Sequence, residues 1–234
     1  MQPYFLPYIG YFQLIAAVDK FVVFDDVNYI NRGWVNRNRM LINGAPAIFT
    51  VPLCNSSQNK LISDIKILND GQWRNKMLRT FQQSYSKACN FKQTYDLLEH
   101  IINFPLAELN IFLLNGLQEL ITHLDIKTDI IPSSKKYGNT HLNGQERILD
   151  ICKKEQAKNY INPIGGLELY HRDVFQKNRV DLTFLKSREL TYIQGKHPHT
   201  PWLSIIDVLM FNSKDTVKDL LLQYDLIENR DHFI

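Results

Sequence analysis

The sequence predicts an α/β fold with a mainly parallel sheet, a β-hairpin insert and a helical segment. Three observations carry that expectation. Short apolar runs such as Phe21 to Phe24 and Val180 to Leu185 have the composition of buried strands. They alternate with stretches of helical periodicity, the order that produces parallel pairing. Between Arg39-Met40-Leu41-Ile42 and Ala47-Ile48-Phe49-Thr50-Val51 stands Asn43-Gly44, the dipeptide of a primed hairpin turn.

In chain order, Gln2-Pro3-Tyr4-Phe5-Leu6-Pro7-Tyr8-Ile9-Gly10-Tyr11 reads as a tight turn, because Pro3, Pro7 and Gly10 restrict or free the backbone where a strand must give way to a helix. A short helical pattern follows to Val18, then the strand Phe21 to Phe24, which delivers Asp25 and Asp26 at its carboxyl end. The chain opens almost on this turn, so the strand expected before Gln2 is missing or very short, and Met1 reads as an internal methionine of a longer product. Residues 28 to 68 form the antiparallel insert, with Ile62 to Leu68 alternating like a further strand. Gln72 to Leu124 is helical, since Leu109, Phe112, Leu113, Leu117, Leu120, Ile121 and Leu124 recur at steps of three and four. Trp73, Phe81 and Tyr85 fall on one face of the preceding helix, where packing is their expected role.

A second alternation then begins. Ile126 to Ile131 reads as a strand ending at Pro132-Ser133-Ser134, and Asn143 to Glu146 as a helix-start box before Ile148, Ile151 and Cys152. Asn159-Tyr160-Ile161 is a short strand, Asn162 to Gly166 a loop, Tyr170 to Lys177 a helix, and Val180 to Leu185 a strand. Ser204 to Phe211 and Thr216 to Tyr224 read as closing helices. The expectation is one domain spanning all 234 residues.

Composition narrows the function classes. A net charge of +3, from 27 basic and 24 acidic residues, gives no bulk footprint for nucleic acid. The 3 cysteines, Cys54, Cys89 and Cys152, lack any C-x-x-C spacing and read as reduced thiols of a cytoplasmic protein. No apolar stretch approaches the roughly 18 residues of a membrane span, so no membrane insertion is expected. His197-Pro198-His199 has no third ligand in view, and no metal site is expected.

The chemistry-bearing residues crowd into a few places. Asp25 and Asp26 are the candidate catalytic carboxylates, suited to acid–base work, with the capping of a turn as the alternative for either alone. In the Asn-rich stretch Asn31 to Asn38, Arg37 and Asn38 are the candidates to grip a phosphate or carboxylate, while Arg32 and Arg39 read as surface. Gln2, Tyr8, Gly10, Tyr11 and Asn28 join them as candidate binding residues near the turn. Ser204 reads by default as the N-cap of a helix carrying Asp207 three residues on.

The opening segment, Asp25-Asp26-Val27-Asn28, Arg37-Asn38 and Ser204-Ile205-Ile206-Asp207 resemble the WbqC-like family of bacterial polysaccharide-cluster proteins. Pro132-Ser133-Ser134, Glu146-Arg147, Tyr160 with Gly165-Gly166 and Tyr170, and Tyr192-Ile193-Gln194 follow in the expected order, so the likeness runs nearly end to end. It implies a role in O-antigen (lipopolysaccharide) biosynthesis and an activity as a glycine transferase acting on a nucleotide-linked amino sugar. With it come Ser134, Arg147 and Tyr160 as further binding candidates, and Ser204 and Asp207 are kept among them. The cofactor stands open between ATP with free glycine and an activated donor such as an aminoacyl carrier or a charged tRNA, and the oligomeric state is not legible. A fainter likeness sets Pro7-Tyr8-Ile9-Gly10-Tyr11 beside the H-x-G-H turn of nucleotidyl transferases, with tyrosines in place of histidines. Two other classes therefore stay in view, a carboxylate-adenylating enzyme and a non-catalytic sugar-nucleotide binder.

Overall fold

The computed structural model describes residues 1–68, 70–196 and 198–228. The fold is α/β, with both parallel and antiparallel pairing in short sheets. Helix α1 (Ile9–Ala16) is apolar nearly all round and buries Ile9 through Ile15, as a helix enclosed by other elements must. It leads to β1 (Lys20–Val22). The hairpin follows, β2 (Arg37–Ile42) against β3 (Ala45–Thr50), in a register that pairs Ile42 with Ala45. Asn43 and Gly44 have φ of 52° and 77°, the left-handed pair that a primed turn demands. Two short antiparallel strands, β4 (Leu53–Cys54) and β5 (Lys66–Ile67), complete the insert.

The alternation from Ile62 to Leu68 does not make one strand. Residues Ile62–Asp64 form a 3-10 turn instead. Ile62 N donates to Val27 O and Ser63 N to Asp25 O, so these amides are spent on the loop after β1 rather than on a ladder. The helical segment divides into α2 (Gln72–Tyr85), α3 (Phe91–Ile102) and α4 (Leu109–His123), and the stripe from Leu109 to Ile121 is the buried face of α4.

In the second alternation β6 (Asp129–Ile131) pairs parallel with β1, matching Phe21 to Ile130. A 3-10 turn, Ser134–Tyr137, leads to α5 (Gly144–Lys154). Asn143 is the residue before that helix, but its side chain makes no capping bond, so the expected box supplies the boundary without its hydrogen bonds. Then come β7 (Asn159–Pro163), a 3-10 turn Ile164–Leu169, α6 (Arg172–Lys177) and β8 (Asp181–Ser187), with β7 and β8 parallel. Helices α7 (Ile205–Phe211) and α8 (Lys214–Leu221) follow. The last expected helix stops at Leu221, and β9 (Tyr224–Glu228) turns back antiparallel on β8. Its largely exposed side chains carry no alternation that sequence reading could catch.

The main core gathers α1, the hairpin, α2 to α4 and α7, and a second core forms around Phe175, Leu182 and Phe184 under β7 and β8. No helix among the described residues is long and apolar enough to cross a membrane.

Candidate functional site

The carboxyl end of β1 places Asp25 and Asp26 in the interior, at 0% and 3% exposure. Burial of a carboxyl group is costly without partners, so the donors around the pair define the site. Asp25 accepts from Asn110 Nδ2 at 3.1 Å, Ser133 Oγ at 2.7 Å and Ser134 N at 3.2 Å. Asp26 Oδ1 accepts from Arg147 Nη2 at 2.6 Å and from the Ser134 hydroxyl. Arg147 in turn donates from Nε to Asn139 Oδ1 at 2.9 Å, and its guanidinium lies 4.5 Å over the Phe24 ring. Asn139 is fixed by donating to Asp150 at 2.6 Å. The result is an enclosed network in which Asp26 pairs with the guanidinium and Asp25 is held by neutral donors, while Asp26 Oδ2 is buried with no hydrogen-bond partner. Chemically, this is a ready acceptor for one more donor, above all a cationic one.

A second polar centre forms where the opening turn meets α7. Ser204 caps α7, accepting from Ile206 N, and also donates to Leu6 O at 2.6 Å. Asn38 Nδ2 donates to Phe5 O and to Leu6 O, at 3.1 and 2.9 Å. These bonds hold Leu6 at φ 44°, a conformation that a branched apolar residue keeps only when its surroundings dictate it. Asp207, fully buried, accepts from Tyr85 OH at 2.9 Å, Tyr192 OH at 2.7 Å and Gln194 Nε2 at 2.7 Å. Burial raises its carboxyl above the usual range, with these hydrogen bonds pulling the other way. Burial, and then Asp207 beside them, pushes the Tyr85 and Tyr192 hydroxyls up in turn. A small cleft beside this centre is lined by Tyr8, Tyr192, His199 and Trp202.

The structure thus brings Asp25, Asp26, Ser134 and Arg147 together, and sets Tyr8, Asn38, Ser204 and Asp207 around the turn. At Gly10 an added Cβ would stand 2.3 Å from the Tyr8 ring, so a larger residue there would displace that ring. Tyr11 lies in the core and donates to Gln2 O at 2.9 Å, so the likeness to the H-x-G-H turn offers Tyr8 without a second free hydroxyl. The remaining candidates stand apart from both centres. Arg37 folds back on its own loop, donating to Gly33 O at 3.0 Å and to Arg32 O, with Trp34 under its guanidinium. Asn28 is exposed and bridges to Leu61, and Tyr160 is stacked on Phe175 in the second core. Arg39, read as surface, reaches Trp202 O at 2.9 Å. Of the histidine pair, His197 lies outside the described residues.

Sequence reading missed Asn110 and Asn139, because a lone asparagine far from the carboxylates in sequence carries no pattern. Asn110 is 85 positions from Asp25.

The model of the WbqC-like protein family matches residues 2–219. Uncharacterized protein Rv1507c of Mycobacterium tuberculosis (strain ATCC 25618 / H37Rv) is similar, with 27% identity over 231 residues, 94% of this chain and 95% of that protein. No solved structure matches the chain significantly.

Proposed function

The chain belongs to the WbqC-like protein family, and from that premise we propose that it is a transferase that acylates an amino sugar, carrying a glycyl group to the amine of a nucleotide-linked sugar during O-antigen assembly. The observation that carries this reading is the unpartnered Asp26 Oδ2 in a cluster holding two carboxyl groups and one guanidinium. An ammonium is the group that such a position receives best.

In this reading the sugar amine docks on Asp26 Oδ2, Asp25 holds the turn at Ser133 and Ser134 in place, and Arg147 keeps Asp26 from rotating. The docked ammonium gives one proton to Asp26, its nitrogen forms the bond to the acyl carbon, and the bond from that carbon to the donor's leaving group breaks, the leaving group departing with the electron pair and the second amine proton.

The test is incubation of the protein with a panel of nucleotide-linked amino sugars, glycine and ATP, or with an aminoacyl donor, followed by mass spectrometry of the sugar. A glycyl increment that is lost in Asp26→Asn supports the reading. Tight sugar binding with an unchanged acceptor under every donor turns it toward a non-catalytic binder.

A further inference from the structure

A cavity of about 500 Å³ separates β1 from β7. Its two long walls are strand edges. Residues 19–22 and Phe24 line one side and residues 158–163 the other, with Ala17 and Val18 after α1 and Ile148, Ile151 and Cys152 of α5 closing the faces. β1 pairs with β6 along one edge, and β7 with β8 along one edge, so each turns its other edge to the cavity.

The backbone bonds of β1 give the direction of what fits there. Val23 N donates to Ile131 O and Asp129 N to Asp19 O, so the odd-numbered residues serve β6 and the even-numbered ones face the cavity side. On that side Met1 N donates to Val22 O at 2.6 Å, and Phe24 N donates to Met1 O at 2.8 Å. These two bonds are one rung of a parallel ladder, and the next rungs along it fall on Val22 N and Lys20, inside the cavity.

We infer that the cavity is a strand-docking site whose occupant is an extended apolar peptide of about five residues, parallel to β1 and β7 and in line with Met1. Five residues of strand run about 16 Å, matching the five residues of β7. With α1 on one face and α5 on the other, both faces of such a strand are enclosed, which requires apolar side chains at every position rather than at alternate ones. Filling the site joins β6, β1, the peptide, β7, β8 and β9 into one continuous sheet. The inference is independent of the transferase reading.

The test compares three forms of the full chain: the chain starting at Met1, the chain with five Ile/Val residues joined to the amino side of Met1, and the chain with five Ser/Asp residues there. The apolar extension should raise Tm by about 5 °C and slow amide exchange at Lys20, Val22 and residues 159–163, while the polar one does neither. Equal Tm and exchange in all three forms overturns the proposal. So does saturable uptake of a fluorescent apolar dye that the apolar extension fails to displace, an outcome that assigns the cavity to a small molecule.

Discussion

Each side chain of the carboxylate cluster has a separable role, and substitution distinguishes them. Arg147→Leu leaves Asp26 buried without its cation, at a cost of about 3–5 kcal/mol, whereas Ser134→Ala removes a neutral hydroxyl and costs about 1–2 kcal/mol; urea denaturation of the two variants should rank them in that order. Gly10→Ala forces the Tyr8 ring out of place, since the added Cβ would meet it at 2.3 Å, and should destabilise the fold by about 1–3 kcal/mol. Asp25 and Asp26 were legible as a carboxylate pair at the end of an apolar strand, whereas Ser134 and Arg147, which the structure sets beside them, came only with the family resemblance. Tyr11, Tyr160 and Arg37, also named as candidates, have their partners away from that cluster. An aromatic hydroxyl or a guanidinium finds a local carbonyl or ring as readily as a ligand, and only the fold decides which.

At the scale of elements, the hairpin was legible to within a residue or two because Asn43-Gly44 encodes its own φ values. The stripe of α4 was legible because its period matches the helix. The segment from Ile62 to Leu68 misled, since its alternation of apolar residues reports burial and not the destination of the backbone amides. β9 was silent for the opposite reason, having little burial to report. The opening turn is an element held by long-range bonds. Asn38 on β2 and Ser204 before α7 both grip the Leu6 carbonyl. Asn38→Ala and Ser204→Ala should each cost about 1–2 kcal/mol, and a double-mutant cycle should return a coupling above about 0.5 kcal/mol, because the second loss falls on a carbonyl already half released. Additive losses would mean that the two bonds brace different structures.

Over the whole molecule, the parts are tied by polar contacts between the two α/β units. Glu155, just after α5, takes Lys20 of β1 at 2.7 Å, Lys136 at 2.8 Å and the Tyr137 hydroxyl at 2.8 Å. Hydrogen bonds from Lys136, Lys20 and Tyr137 hold its carboxyl down from the usual 4.5 to about 2. The folded form therefore releases a proton that the unfolded chain keeps between those values. Stability from this group is complete above about 4.5 and is lost as pH falls toward about 2. Acid denaturation followed by circular dichroism should show a shallower loss across that window in Glu155→Gln than in the parent chain. The most direct measurement of the central claim is product formation by folded Asp26→Asn, which keeps the size of the side chain and the Arg147 neighbour but removes the acceptor charge. With a glycyl donor and a nucleotide-linked amino sugar, the account predicts that the parent chain yields the glycylated sugar and that the variant, assayed well below a Tm lowered by the loss of the Arg147 counter-charge, yields less than a hundredth as much; equal product from both would contradict it.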